Sequence, residues 1–306
     1  MNVDTKVIMG DLVLRTPLLT GSGTFGYGNE YNTLVDYSKL GGIITKSISL
    51  EPRNGNPPPR ICETRAGGII NSIGLANVGV DAFLNQKVEA LPIGKTEVFI
   101  SVVGDSVEDY TSVVEKLETI EDIAGYELNI SCPNVKSGGL SLGGDKEAVA
   151  AITKAVRSMT HRFVSVKLTP HYAVIAPVAE AAVKAGADAL TLTNTLVGMA
   201  IDAECRKSLL GNVTGGYSGP PLKPVSLAKV WQASQVVDIP IWASGGMVNG
   251  IDCIEFMLAG ASALQLGSVL FADPTAPERI LVEMTEYCER HNVERFSNLI
   301  GSLEIQ

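Results

Sequence analysis

Apolar positions along this chain gather into short runs that recur at intervals, most of them separated by stretches with helical periodicity. Eight runs are rich in strand-forming residues: 17–22 (PLLTGS), 41–47 (GGIITKS), 97–103 (EVFISVV), 125–131 (GYELNIS), 163–168 (FVSVKL), 189–193 (ALTLT), 239–244 (IPIWAS) and 263–267 (ALQLG). Between them, 106–119, 146–160, 174–185, 226–236 and 250–259 read as amphipathic or buried helices. Strand–helix alternation repeated eight times predicts an α/β fold of the (β/α)₈, or TIM-barrel, type. KAGAD (184–188) and LAGAS (258–262) each stop a helix on glycine and start a strand. A glycine there takes the positive φ of a helix C-cap without a Cβ clash. Two irregular stretches, 51–81 and 198–224, break the rhythm. Loops of that length are uncommon and usually functional, so they read as top-face insertions, with short hairpins. No linker or composition shift divides the chain, and 1–306 is expected to be one domain.

Composition narrows the partners. The net charge is −9 with no basic cluster, which sets nucleic acid aside. No stretch approaches the ~18–20 uninterrupted apolar residues of a membrane span; the longest candidate, 173–183, is broken by Pro177 and Glu180. The opening residues carry Asp4, Lys6 and Asp11 and do not read as a signal or transit peptide. The five cysteines, at 62, 132, 205, 253 and 288, show no CxxC spacing. An odd number without that spacing argues against a disulfide framework, a metal site or a cluster ligated by this chain, and a reducing cytoplasm is expected.

In a barrel, chemistry sits at the C-terminal ends of the strands. Two lysines, Lys46 and Lys167, end strands that are otherwise apolar. Burying an ammonium costs several kcal/mol unless it is paired, so an anion or polar cofactor on that face is expected. Gly245-Gly246 and Gly267-Ser268 end strands seven and eight, where backbone N–H groups approach phosphates in this architecture. Flavin mononucleotide, a sugar phosphate and pyridoxal phosphate all satisfy that pattern. Cys132 follows strand four between Asn129 and Asn134, with a glycine-rich segment after it. A cysteine nucleophile needs a neighbouring base. Of the three histidines, His161 falls before strand five, at the barrel bottom, and His171 after it. Cys132 therefore reads better as a proton-abstracting base than as a nucleophile.

With those residues in place, the chain resembles the class 1 dihydroorotate dehydrogenases. The matching segments are TGSGT (20–24), TKS (45–47), GNPPPR (55–60), NSIGL (71–75), NISCPN (129–134), VKLTP (166–170), TNT (193–195), GGYSGPPLKP (215–224), SGG (244–246) and QLGS (265–268), in family order. The wording NISCPNVKSGG and GGIITKSI is most like subclass B, whose catalytic subunit pairs with a subunit carrying FAD and a [2Fe–2S] cluster and uses NAD⁺. Subclass A, a fumarate-using homodimer, is the alternative; a non-catalytic phosphate-binding barrel is a more distant one.

The resemblance implies FMN on Gly245, Gly246, Gly267 and Ser268, with Gly219 beside them. Ser22, Lys46, Ser47, Ser101, Asn129, Lys167 and Thr193 would surround the flavin and ribityl parts. Relatives commonly have asparagine at position 101, where this chain has serine. Dihydroorotate or orotate would be held by Lys46, Asn71, Ser72, Ile73, Gly74, Leu75, Asn129, Asn194 and Thr195. Cys132, with Lys46, Asn129 and Lys167, would carry the chemistry. The implied assembly is a homodimer of barrels joined to two electron-transfer subunits.

Overall fold

The computed structural model describes residues 3–28, 30–130 and 145–305, with two short strands at Lys136–Ser137 and Leu140–Ser141. Eight parallel strands close into a barrel in chain order: β1 (Leu18–Thr20), β2 (Gly42–Ile44), β3 (Glu97–Val102), β4 (Gly125–Asn129), β5 (Phe163–Leu168), β6 (Ala189–Leu192), β7 (Ile241–Ser244) and β8 (Ala263–Leu266). Each falls within its predicted run. The helices are α1 (Val80–Gln86), α2 (Val107–Leu117), α3 (Lys146–Arg157), α4 (Ala176–Lys184), α5 (Lys223–Ser234), α6 (Gly250–Leu258), α7 (Val269–Ala272) and α8 (Ala276–Arg290).

Local chemistry sets the helix ends. Ser106 caps α2 by accepting from Asp109 N, and Asp145 caps α3 by accepting from Glu147 N. Asn249 and Asp252 form a reciprocal capping box at α6. Such caps satisfy N–H groups that have no partner within the helix. Helix α5 starts three residues before its predicted boundary, with Pro224 in its first turn, a position that costs no hydrogen bond. Helices α1, α7 and α8 lie outside the predicted segments. A single 3₁₀ turn, Tyr37–Lys39, stands between β1 and β2 in place of a helix. Among the described residues no helix is long and apolar enough to cross a membrane.

Side chains alternate across a strand, and the barrel interior follows that rule in layers. Its floor is Leu19, Ile44, Phe99, Ala189, Trp242 and Ala263. Phe163 stacks on Trp242 at 5.4 Å between ring centroids. The N-terminal segment forms a hairpin, Val7–Met9 with Leu12–Leu14, whose Val7, Met9 and Leu14 are buried in this cluster. Two residues further along the strands, Ser101, Ser165, Thr191 and Gln265 replace Phe99, Phe163, Ala189 and Ala263, and Glu127 joins them; all five are buried. The interior thus turns from apolar to polar toward the C-terminal face.

The two irregular excursions form short antiparallel pairs, as expected, and these join across the excursions. Leu196–Met199, Thr214–Ser218, Ile69–Asn71 and Ile61–Glu63 pair, in that order, into one antiparallel sheet. One further hairpin, Ile201–Asp202 with Lys207–Ser208, lies within the second excursion.

Candidate active site

Strand β5 brings Lys167 to the end of the polar interior, where it is almost wholly buried. Its Nζ lies 3.0 Å from Gln265 Oε1 of β8, 3.1 Å from Ser22 Oγ after β1 and 3.4 Å from Glu127 Oε1 of β4. Glu127 Oε2 accepts from Thr191 Oγ1 at 3.1 Å and from Gln265 Nε2. The ammonium is therefore paired from within the barrel. An external anion or polar cofactor was the expected partner of Lys167; its ammonium is instead paired by Glu127 of the chain itself, with Gln265 beside it. A glutamate inside the apolar run of β4 was the available signal.

Next to this group stands a second polar set. Asn129, the last residue of β4, donates from Nδ2 to Ser47 Oγ at 3.2 Å, and its Oδ1 accepts from Asn194 Nδ2 at 3.1 Å. Its carbonyl accepts from Tyr110 OH of α2 at 2.8 Å. Ser47 and Ser101 share a hydrogen bond of 2.8 Å, so Ser101 supports the neighbour of Asn129. Lys46 follows β2, its backbone N–H donating to Gly26 O at 2.7 Å. Its half-buried ammonium has no hydrogen-bond or ion-pair partner among the described residues. Burial first, and the Arg60 charge second, hold it below the usual lysine range, with Glu30 acting the other way.

The ends of β7 and β8 leave backbone donors free. The N–H groups of Gly245, Gly246, Gly267 and Ser268 find no acceptor among the described residues. Gly246 has φ +85°, and a Cβ there would stand 2.7 Å from Lys223 N. A Cβ on Gly245 would stand 2.2 Å from Ser226 Oγ, and one on Gly219 2.6 Å from Gly68 Cα. The backbone turns so tightly here that only glycine fits. At Gly267 a Cβ would meet no protein atom within 4 Å. Thr193 sits at the end of β6 with its hydroxyl 2.8 Å from Ser226 Oγ of α5.

The segment 71–75 leaves the antiparallel sheet over the barrel. Asn71 Nδ2 donates to Gly216 O at 3.3 Å. The Ser72 hydroxyl is buried without a hydrogen-bond partner. Ile73 O accepts from Asn56 N at 3.0 Å, and Gly74 and Leu75 both take positive φ, at +75° and +56°. Thr195 donates its N–H to Asn194 Oδ1 at 2.8 Å, and a Cβ on Gly216 would stand 2.2 Å from Thr195 Oγ1. Contacts thus tie Ser22 to Lys167, and Ser47, Ser101, Asn129 and Asn194 to one another. Asn71 and Thr195 meet at Gly216. Cys132 lies outside the described residues. His171 is exposed.

A family model described as dihydroorotate dehydrogenase matches residues 4–287. "Dihydroorotate dehydrogenase B (NAD(+)), catalytic subunit" of Geobacter metallireducens is 48% identical over 302 residues, 99% of either chain. The protein of the same name from Geobacter sp. (strain M21) is 47% identical over the same span and coverage. Among solved structures, DHODH from Eimeria tenella in complex with ferulenol superposes with a TM-score of 0.79 at 22% identity, covering 98% of this chain and 88% of that one. That last likeness speaks to the fold alone.

Proposed function

We infer the reaction from one premise: the chain belongs to the dihydroorotate dehydrogenase family. It oxidises (S)-dihydroorotate to orotate in pyrimidine biosynthesis, as a single barrel domain holding one FMN. The observation that carries the cofactor is the set of four unaccepted backbone N–H groups at the ends of β7 and β8. They stand at the same end of the barrel as Lys167 and the Asn129–Asn194 pair. Oriented amides beside the start of α7 suit a phosphate dianion, and glycine leaves room for its oxygens. Gly245, Gly246, Gly267 and Ser268 would hold the phosphate, with Gly219 alongside. Ser22, Lys46, Ser47, Ser101, Asn129, Lys167 and Thr193 would line the rest of the cofactor.

When bound, FMN supplies the acceptor for the hydride that leaves C6 of dihydroorotate. The Cys132 thiolate takes the C5 proton, and the C5–C6 double bond of orotate forms. Lys46 offers its unpaired ammonium to the substrate carboxylate, with backbone groups of Ser72, Ile73, Gly74 and Leu75 beside it. Asn71, Asn129, Asn194 and Thr195 offer amide and hydroxyl groups that match the donors and acceptors of the pyrimidine ring. The fixed Lys167 charge stabilises negative charge developing next to it, without reorganisation at the moment of reaction.

The relatives' names, "catalytic subunit" and "NAD(+)", support an electron path to NAD⁺ through a second subunit. In this reading that partner carries FAD and a [2Fe–2S] cluster, and two barrels join two partners. The test is to purify the chain alone and co-expressed with a candidate partner. The chain alone should be yellow, should bleach with dihydroorotate without oxygen, and should reduce a dye but not NAD⁺. Co-expression should add NAD⁺ reduction. A colourless chain, or a yellow one that dihydroorotate does not bleach, overturns the reading. Turnover with fumarate by the single chain replaces NAD⁺ as acceptor.

A further inference from the structure

Glu127 occupies the middle of β4, fully buried, two residues before Asn129. A carboxylate there is costly unless paired, and an apolar residue of similar size would fill the space without that cost. Its contacts show what it does. Gln265 turns Oε1 to Lys167 Nζ and Nε2 to Glu127 Oε2, so its amide has one orientation, oxygen to ammonium and nitrogen to carboxylate. Thr191 donates to the same carboxylate oxygen, and Ser165 Oγ lies 2.8 Å from Thr191 Oγ1. An ammonium has three donors. Two point to Glu127 and Gln265 within the barrel. The third reaches Ser22 Oγ at 3.1 Å, on a half-buried residue at the mouth. A ligand entering from above exchanges with Ser22 and leaves the two interior contacts in place.

We propose that Glu127, directly and through Gln265, is a positioning residue that holds the Lys167 ammonium aimed at the barrel mouth. The groups facing the pair come from β4, β5, β6, β8 and the segment after β1. Among the described residues in hydrogen-bond contact with it, only Glu127 and Lys167 themselves titrate. Without Glu127, the Lys167 ammonium loses its carboxylate anchor and the amide of Gln265 loses the partner that orients it, so the charge is no longer held where negative charge develops above it.

The inference rests on the flavin reading. If that reading fails, the wild-type chain takes up no FMN; if only the positioning role fails, wild-type protein is yellow and the comparisons below come out otherwise. The experiment is anaerobic rapid mixing of FMN-loaded Glu127→Gln, Glu127→Asp, Lys167→Met and the Gln/Met double variant with dihydroorotate. Glu127→Gln should slow flavin reduction about 10- to 100-fold, the factor for losing one charge-assisted hydrogen bond. Glu127→Asp, which keeps the carboxylate, should lose less than Glu127→Gln does. In the Lys167→Met background Glu127→Gln should matter by no more than about twofold. A Glu127→Asp variant as slow as Glu127→Gln, or an equal loss in both backgrounds, overturns the proposal. If Glu127→Gln does not fold, infrared spectroscopy of Lys167→Met decides: a protonated-carboxyl band absent from the wild type supports the pairing, and an unchanged spectrum refutes it.

Discussion

Gly267 ends β8 with no protein atom within 4 Å of the place a Cβ would take, and its φ lies outside the left-handed region. Alanine therefore meets neither a clash nor backbone strain in the protein itself. Where the native backbone already accepts it, Gly→Ala stabilises by about 0.4–1 kcal/mol through the unfolded chain. The apoprotein of Gly267→Ala should thus melt at or slightly above the wild-type temperature. The added methyl stands in the space assigned to the FMN phosphate. Displacing a charge-assisted contact costs about 1.5–3 kcal/mol, which weakens FMN binding about 10- to 150-fold. Gly246→Ala is the contrasting control. With φ +85° and Lys223 N 2.7 Å from its Cβ, it should lower the melting temperature of the apoprotein as well. The assay is a fluorescence titration of apoprotein with FMN beside a thermal melt without it. Wild-type FMN affinity in Gly267→Ala would remove the phosphate from the ends of β7 and β8. Loss of affinity together with loss of stability would refute the claim that this position is free of the fold.

Cys132→Ala should bind FMN but reduce it at least ~100-fold more slowly, the low end of general-base effects; near-normal reduction in rapid mixing would remove Cys132 as the base. Lys167→Ala should impair flavin reduction more than orotate binding, and the opposite pattern would place Lys167 against the substrate. Burial and Arg60 hold the Lys46 ammonium below its ordinary 10.5, so orotate affinity should be full below that lowered value and fall as the pH rises through it. Arg60→Gln should move the fall to higher pH, and a fall at lower pH in a spectral titration would contradict the repulsion. The fold responds with the opposite sign: between the lowered value and 10.5 the unfolded chain binds the extra proton, so stability rises with pH there.

What the sequence by itself determined is what local pattern can encode. Eight apolar runs of strand composition located eight barrel strands, because burial on both faces leaves a continuous apolar signature. Helices α2, α3, α4 and α6 fell within their predicted segments, and the caps at Ser106 and Asn249 that start two of them are contacts made within a few residues. Lys46 and Lys167 at strand ends, and glycines after β7 and β8, marked the chemical face because an unpaired buried charge or an open backbone is anomalous on its own. Helix α8 was not among the predicted segments, although it buries Ile280, Met284 and Cys288 at a four-residue spacing. Only tertiary structure decided who meets whom. Glu127 lies 40 positions from Lys167, and Gln265 lies 98 beyond it, yet closure of the barrel sets all three side by side. Asn71 meets Gly216 across 145 positions because the two excursions share one sheet. The N-terminal hairpin packs Val7, Met9 and Leu14 against the barrel's floor for the same reason. Strand pairing is made by backbone groups that every residue carries, so it leaves no mark in the sequence of either partner.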